Sequence, residues 1–304
     1  MSMKKLIAAA VISVILAASA IAVVAVVIQP ASPKPTDTQR PLSSVTAPKG
    51  TTAGTTPTST GMVFVASSTP SGNVLSELST KDGKVTHQMT LEGTGSTTSI
   101  ATSGHLVCVG FDGSDHGGLL SCFDTATRTH VTSWVAPGAV LDANGRTDFT
   151  GYDLLVDEGG KKFALTVQLS EQSKTFVLLR QASLPSTAVS LVALASGKTY
   201  YALGNNGVIS SVNTTTSATG FTLPVSQGAT RLAISNDETR LYALIHEHSS
   251  DRVDVIAIVS GKVVSSLKAK ASTKWILPTI DNARLVEFSG TAMSGSIEQY
   301  RFVN

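Results

Sequence analysis

The sequence predicts an all-β protein, a β-propeller of about six four-stranded blades within a range of five to seven, carried behind an N-terminal transmembrane helix and a disordered stalk. Three observations lead there. Short apolar runs that follow Gly, Asn or Asp recur as "MVFVAS" from Met62, "LVCVGF" from Leu106, "KFALTV" from Lys162, "TYYALG" from Thr199, "LYALIH" from Leu241 and "LVEFSG" from Leu285. Their starts lie about 40 residues apart, the period of propeller blades, with one longer interval between the second and third. Finally, only 14% of the residues are charged, against roughly 25% in soluble domains, and Ser, Thr, Gly and Val take their place as an all-β surface allows.

The N-terminal element comes first. After Lys4 and Lys5, Leu6 to Ile28 form an uncharged run of 23 residues, which as a helix spans about 34 Å and crosses a hydrocarbon core of roughly 30 Å. The two lysines before it predict a cytoplasmic N-terminus and an extracytoplasmic C-terminal domain. Residues 1–28 therefore read as a signal-anchor, and the membrane is engaged through residues 6–28. The competing reading is a cleaved signal peptide with secretion after a cut near Ala20, since Ala18-Ser19-Ala20 satisfies the small-x-small pattern. Against it, "IAVVAVVI" continues the apolar run past that point. No cysteine lies near the run, so a lipoprotein anchor is excluded.

Residues 29–61 form the second element. Pro, Thr and Ser make up 19 of these 33 residues, a composition that buries no apolar face and favours extended, solvated chain. Extended like polyproline, such a stalk lifts a domain on the order of 100 Å from a bilayer.

The third element, 62–304, is the propeller. Each apolar run is followed by a further strand-like segment: "NVLSELST", "LLSCFDTATR", "TFVLLRQA", "GVISSVNTTT", "RVDVIAIVSG" and "SIEQYRFVN". Most lead through a turn into another strand such as "KVTHQMTL" or "KVVSSLKAK", which gives about four short strands per period. "TTSIAT", "VSLVALAS", "RLAISN" and "WILPTI" read as the inner strands. Counted this way, the first blade begins at its second strand and the last lacks its outer strand. Open edges invite association, so part of 41–61, where "PLSSVTAP" holds a strand-capable piece, is expected to pair with the terminal blade.

"ISNDETRLYALI" resembles the repeat of YVTN-type and related WD40-like β-propellers through Ser235, Asp237, Leu241 and Tyr242. Asn236 stands where that repeat usually has Pro, and Glu238 where it usually has Gly. "DTATRTHV" resembles the Asp-x-x-Thr hairpin turn that follows, and the likeness extends loosely over 62–304. The resemblance implies the fold and leaves activity open, because one propeller scaffold hosts many functions.

Charge limits the partners. With Lys4 and Lys5 set aside, the chain carries 21 basic and 21 acidic side chains. No Lys/Arg run supplies the basic face that phosphates require, so nucleic acid is discounted. Catalytic signatures are equally scarce: there is no Gly-x-Ser-x-Gly elbow, His-Glu-x-x-His, phosphate loop or Cys-x-x-Cys. "GTGST" from Gly93 has no helix behind it to hold a phosphate. No cofactor is expected.

A few side chains merit individual weighing. Cys108 and Cys122 are equidistant from Asp115 in "DGSDHGG" and face each other if that loop centres the hairpin, at a Cα separation of about 4.5 to 5.5 Å that a disulfide bridges. A slip of one residue instead turns them to opposite sides. His246, His248 and Asp251 in "HEHSSD" are the metal candidates, two imidazoles on one face of a strand without an evident third ligand. The alternative is the polar end of a hairpin. Asp112, Asp115 and His116 raise the question of calcium, but their spacing departs from that of an EF-hand. Trp134 and Trp275 offer either a sugar platform or core, and lone tryptophans in strands are mostly core.

Two functions follow. The first is a membrane-anchored, extracytoplasmic, non-catalytic module that binds or scaffolds a protein or cell-envelope component. The second, implied by the resemblance, is an exported hydrolase or lactonase with its site at the central channel. The inner strands are aliphatic or hydroxylic, which favours binding, although Asp148, Asp153, Asp157 and Glu158 are available as acids.

Overall fold

The computed structural model describes residues 43–55, 61–93, 95–113, 117–248, 250–278, 284–291 and 294–301. Their strands form six four-stranded antiparallel sheets, the blades of a propeller. An N-terminal strand, β1 (Ser43–Thr46), precedes blade 1, which is β2 (Thr51–Gly54), β3 (Met62–Thr69), β4 (Gly72–Ser79) and β5 (Val85–Leu91). Blade 2 is β6 (Thr97–Ser103), β7 (Leu106–Phe111), β8 (Leu119–Asp124) and β9 (His130–Val135). Blade 3 holds β10 (Ala139–Gly145), β11 (Gly151–Glu158), β12 (Lys161–Leu169) and β13 (Phe176–Ser183). Blade 4 holds β14 (Ala188–Ala193), β15 (Thr199–Gly204), β16 (Val208–Asn213) and β17 (Thr219–Pro224). Blade 5 follows with β18 (Ala229–Ile234), β19 (Arg240–His246), β20 (Asp251–Ala257) and β21 (Lys262–Ala269). Blade 6 is β22 (Thr273–Pro278), β23 (Arg284–Thr291) and β24 (Ser294–Arg301), completed by β1.

First strands of successive blades neighbour one another around the axis, and β22 meets β2 to complete the ring. The core lies between the blades, with one apolar cluster at each of the six interfaces. Side chains alternate between two such clusters along a second strand: Leu241, Ala243 and Ile245 of β19 pack toward blade 4, while Tyr242 and Leu244 pack toward blade 6. A strand buried on both faces needs an apolar residue at every position. That is why second strands dominate the sequence signal.

Closure uses the N-terminal segment. Ser43 to Thr46 pair antiparallel with Gln299 to Ser296, so β1 supplies the outer strand that the C-terminal half of blade 6 lacks. The chain then passes through buried Ala47 into β2, the first strand of blade 1. Pairing of part of 41–61 with the last blade is as expected; a second strand in this stretch, β2, is not. Residues 43–54 are therefore propeller and not stalk. Residues 6–28 and 29–42, read as transmembrane helix and stalk, lie outside the described residues. Among the described residues no helix is long and apolar enough to cross a membrane.

Blade 3 corrects one assignment. "KFALTV" lies on β12, a third strand, and "TFVLLRQA" supplies β13, the outermost. The second strand is "GYDLLVDE", whose interspersed acids hide it. With Gly151 as the start, the long interval disappears.

In blade 2, Cys108 and Cys122 are direct register partners, their Cα atoms are 4.1 Å apart, and the two sulfurs are bonded. They sit in the cluster shared with blade 3. Third and outermost strands are joined in five blades by one turn form, with a left-handed residue at Gly83, Arg128, Lys174, Ser217 or Gly261. In "DTATRT" the Asp124 carboxylate accepts the backbone N–H groups of Ala126 and Thr127 at 2.8 and 2.7 Å, the usual service of Asp in a turn.

Candidate functional site

Every first strand carries a β-bulge at the equivalent place, between Thr51/Ala53, Thr97/Ser99, Val140/Asp142, Ala188/Ser190, Ala229/Arg231 and Thr273/Trp275. A bulge bends the strand and re-aims the residues around it. In blades 3, 4 and 5 the residue after the bulge is Asp142, Ser190 or Arg231, and these three interact. Ser190 Oγ donates to Asp142 Oδ2 at 2.6 Å, and Arg231 Nη1 lies 3.1 Å from Asp142 Oδ1. Arg231 also reaches the Thr98 carbonyl of blade 2 at 3.4 Å. Backbone N–H groups of Ala143 and Leu191 complete the shell of the Asp142 carboxylate. This polar crossbar ties blades 2, 3, 4 and 5 together at the axis.

One residue beyond the crossbar the first strands open into a funnel of about 620 Å³, on the side of the turns that join first to second strands. All six blades line it. Ile100, Ala143, Ala193, Ala233 and Leu277 make an aliphatic throat, and the turns of blades 3, 4 and 5 make the rim. The wall is tight at one point: a Cβ on Gly145 would lie 1.7 Å from the Thr102 carbonyl oxygen, so only glycine lets β10 approach β6 this closely.

The blade 5 part of the rim is "SNDET". Buried Ser235 Oγ accepts the backbone N–H groups of Thr239 and Arg240, and Asp237 Oδ1 accepts from Thr239 Oγ1 at 2.9 Å. Glu238 sits at φ 57°, the left-handed region, and its Oε1 accepts the Ala195 N–H of blade 4.

In blade 3 the corresponding turn is "RTDFT", and a guanidinium takes the place of the serine. The Arg146 side chain is 2% exposed and lies between Asp148 and Asp153. Its Nε and Nη2 donate to the two oxygens of Asp148, both at 2.8 Å, and Nη1 donates to Asp153 Oδ2 at 2.9 Å. Nη2 also donates to the Ala195 carbonyl at 2.5 Å, and the Phe149 ring lies 4.8 Å from the guanidinium carbon. Ser103 of blade 2 holds the loop from the other side by donating to the Arg146 and Phe149 carbonyls.

The two acids differ electrostatically. Burial pushes the Asp153 carboxyl above its ordinary range, and hydrogen bonds from Thr166 and Arg146 offset this only in part. Partial burial acts on Asp148 too, but the Arg146 bonds and charge outweigh it and hold that carboxyl below its ordinary value. Tyr200, in contact with Thr166, is pushed up to about 12 by burial and by the Asp153 charge. Asp148, held below its ordinary value by the guanidinium, is a weak base, and among the described residues no His, Cys or Lys lines the funnel.

Most residues singled out from sequence lie elsewhere. His246 ends β19 as the register partner of Asp251, with Nδ1 3.0 Å from Asp251 Oδ1. The other Asp251 oxygen accepts the Thr273 N–H at 3.1 Å, so Asp251 ties blade 5 to blade 6. His248 lies beyond the strand end and is exposed, so strand alternation does not bring it onto the face of His246. Among the described residues no group of three or more His, Cys, Asp or Glu is placed to hold a metal ion. Asp112 accepts the Ser96 N–H, while Asp115 and His116 lie outside the described residues. Trp275 stacks on Phe288 at 5.4 Å between blades 6 and 1, and Trp134 packs between blades 2 and 3. Asp157 pairs with Lys162, and Glu158 is exposed at the end of β11. Of the four acids considered, Asp148 and Asp153 reach the funnel.

The residues missed are Asp142, Arg146 and Arg231. Their signal is an alignment: with "GYDLLV" as the second strand, "VLDANGRTDFT" falls on "ATRLAISNDET", which sets Asp142 against Arg231 and Arg146 against Ser235. Opposite charges at one repeat position then point to the axis.

No family model and no curated protein matches the chain. Among solved structures it is similar to the β-propeller domain of Cps50 (Swd1) from Myceliophteria thermophila, with a TM-score of 0.60 and 11% identity over 87% of this chain and all of that one. The likeness shows the fold, a β-propeller.

Proposed function

We propose that this propeller is a non-catalytic binding module, anchored in a membrane through residues 6–28 and displayed outside the cytoplasm on the stalk that precedes Ser43, with a partner protein or envelope component engaging the funnel. The observation that carries the reading is the funnel's chemistry: an aliphatic throat closed below by the Asp142–Arg231 crossbar, with rim carboxylates engaged in structural bonds. A concave site that combines an aliphatic throat with a polar rim suits recognition. The hydrolase alternative requires a free base beside a nucleophile, and among the described residues nothing lining the funnel favours it. The Cys108–Cys122 bond accords with an oxidising compartment.

The test uses full-length protein. It should stay in carbonate-washed membranes and retain a partner from detergent-solubilised envelope, and Ala143→Trp, which fills the throat, should release that partner. Soluble protein beginning near Ile21 would remove the anchor from the proposal. Retention unaffected by Ala143→Trp, or turnover in an esterase or lactonase screen that Ala143→Trp abolishes, would replace the reading.

A further inference from the structure

The funnel is divided chemically by depth. Its throat is aliphatic, through Ile100, Ala143, Ala193, Ala233 and Leu277, and Arg231 lies in the crossbar beneath it. A cation pushed to the bottom would lose its water among aliphatic walls and meet another cation. The rim is the reverse. Its lining includes three carboxyl groups, on Asp148, Asp153 and Glu238, and one cation, Arg146, whose side chain is buried and engaged with both aspartates.

Two of these carboxylates have capacity left. The Asp148 side chain is 41% exposed, and each of its oxygens accepts one bond from Arg146, which leaves further lone pairs. Glu238 offers Oε1 to the Ala195 N–H, and among the described residues Oε2 has no hydrogen-bond partner. Glu238 also occupies a backbone conformation, φ 57°, that glycine adopts without strain. Asp148 and Glu238 stand on the turns of blades 3 and 5, with Ala195 of blade 4 bonded to Arg146 and to Glu238 between them.

We infer that the partner is a protein segment with an apolar side chain next to a Lys or Arg: the apolar group fills the throat, and the cation lies across the rim between Asp148 and Glu238. This rests on the binding-module reading and names the chemistry of the occupant. Burial of the apolar anchor supplies affinity, and the rim charge supplies orientation and choice.

The test measures fluorescence anisotropy of labelled Gly-Ser-Leu-Arg-Ser-Gly with full-length protein in detergent. Its comparators replace Arg by citrulline, the neutral urea analogue, or Leu by Ser. The expected result is binding weakened roughly tenfold by either replacement and falling as salt rises, since rim pairs are screened. Glu238→Gln, which keeps an acceptor for the Ala195 N–H, should weaken the Arg peptide about fivefold and leave the citrulline peptide unchanged. Glu158→Gln, exposed at the far end of β11, should change neither. Equal binding of Arg and citrulline peptides, an unaffected Glu238→Gln variant, or no peptide binding would overturn the inference. If a partner still cross-links at the funnel in any of those cases, the binding-module reading survives without it.

Discussion

The turns at 146–150 in blade 3 and 235–239 in blade 5 occupy the same place in their blades and face the same funnel, yet they are held by different means. In blade 5, Ser235 and Asp237 satisfy the turn from within, and Glu238 reaches a neighbouring blade. In blade 3 the turn depends on a buried guanidinium with partners on its own loop, on β11 and on blade 4, and on Ser103 of blade 2. A locally satisfied turn tolerates change around it. A turn satisfied across three blades makes the funnel wall rigid where Asp148 is displayed.

The largest expected effect tests that contrast. Arg146→Ala removes the partner of two acids, one of them buried, and should cost about 3–5 kcal/mol, the range for breaking a buried ion pair. Denaturant unfolding measures it. Arg146→Met combined with Asp153→Leu should recover much of the loss, because no buried unpaired charge remains and Asp148 is left partly solvated. A loss below about 1 kcal/mol for Arg146→Ala would show that blade 3 is as self-sufficient as blade 5.

A staple outside both turns gives the next effect. Replacing Cys108 and Cys122 by Ser opens a loop spanning 14 residues and should cost about 3 kcal/mol. It should leave the difference between the Arg146 and Ser235 variants unchanged, since cysteines and turns share no hydrogen bond. In blade 5, Ser235→Ala removes local hydrogen bonds and should cost about 1 kcal/mol.

The smallest effect is a pH slope. The Asp153 carboxyl is raised in the folded state, so its contribution is fully present below its ordinary value of 3.8 and is lost as pH rises through the folded value. Asp148 is lowered, so its contribution is present above 3.8 and is lost as pH falls through the folded value. Stability curves of the native protein and Asp153→Asn should therefore converge or cross as pH rises above about 4, while the gap between the native protein and Asp148→Asn should open below about 4, as pH rises from the lowered folded value, and stay constant above it. Parallel curves would mean that both acids share one environment.

What the sequence discloses follows from the same physics. Second strands are buried on both faces, so β3, β7, β15, β19 and β23 stand out as apolar runs, and the period of the fold comes with them. β11 escapes because Asp153 and Asp157 interrupt it, and Asp153 is there to meet Arg146. The turn at 235–239 is legible because its hydrogen bonds are local. The Arg146 cluster and the Asp142–Arg231 crossbar are not, since their partners are brought together only when the ring closes. β2 is equally silent: "TTAG" is short, and its burial depends on both neighbouring blades.

The central claim, that the funnel is the binding surface, is tested most directly by site-specific photocrosslinking of full-length protein in native membranes. A benzophenone amino acid at Thr147, exposed on the funnel rim, is compared with one at Asn206, exposed in the turn between β15 and β16 on the opposite face. The account predicts a discrete adduct from position 147 that Ala143→Trp suppresses, and none from position 206. An adduct from 206 alone, or one from 147 that persists with the throat filled, would contradict it.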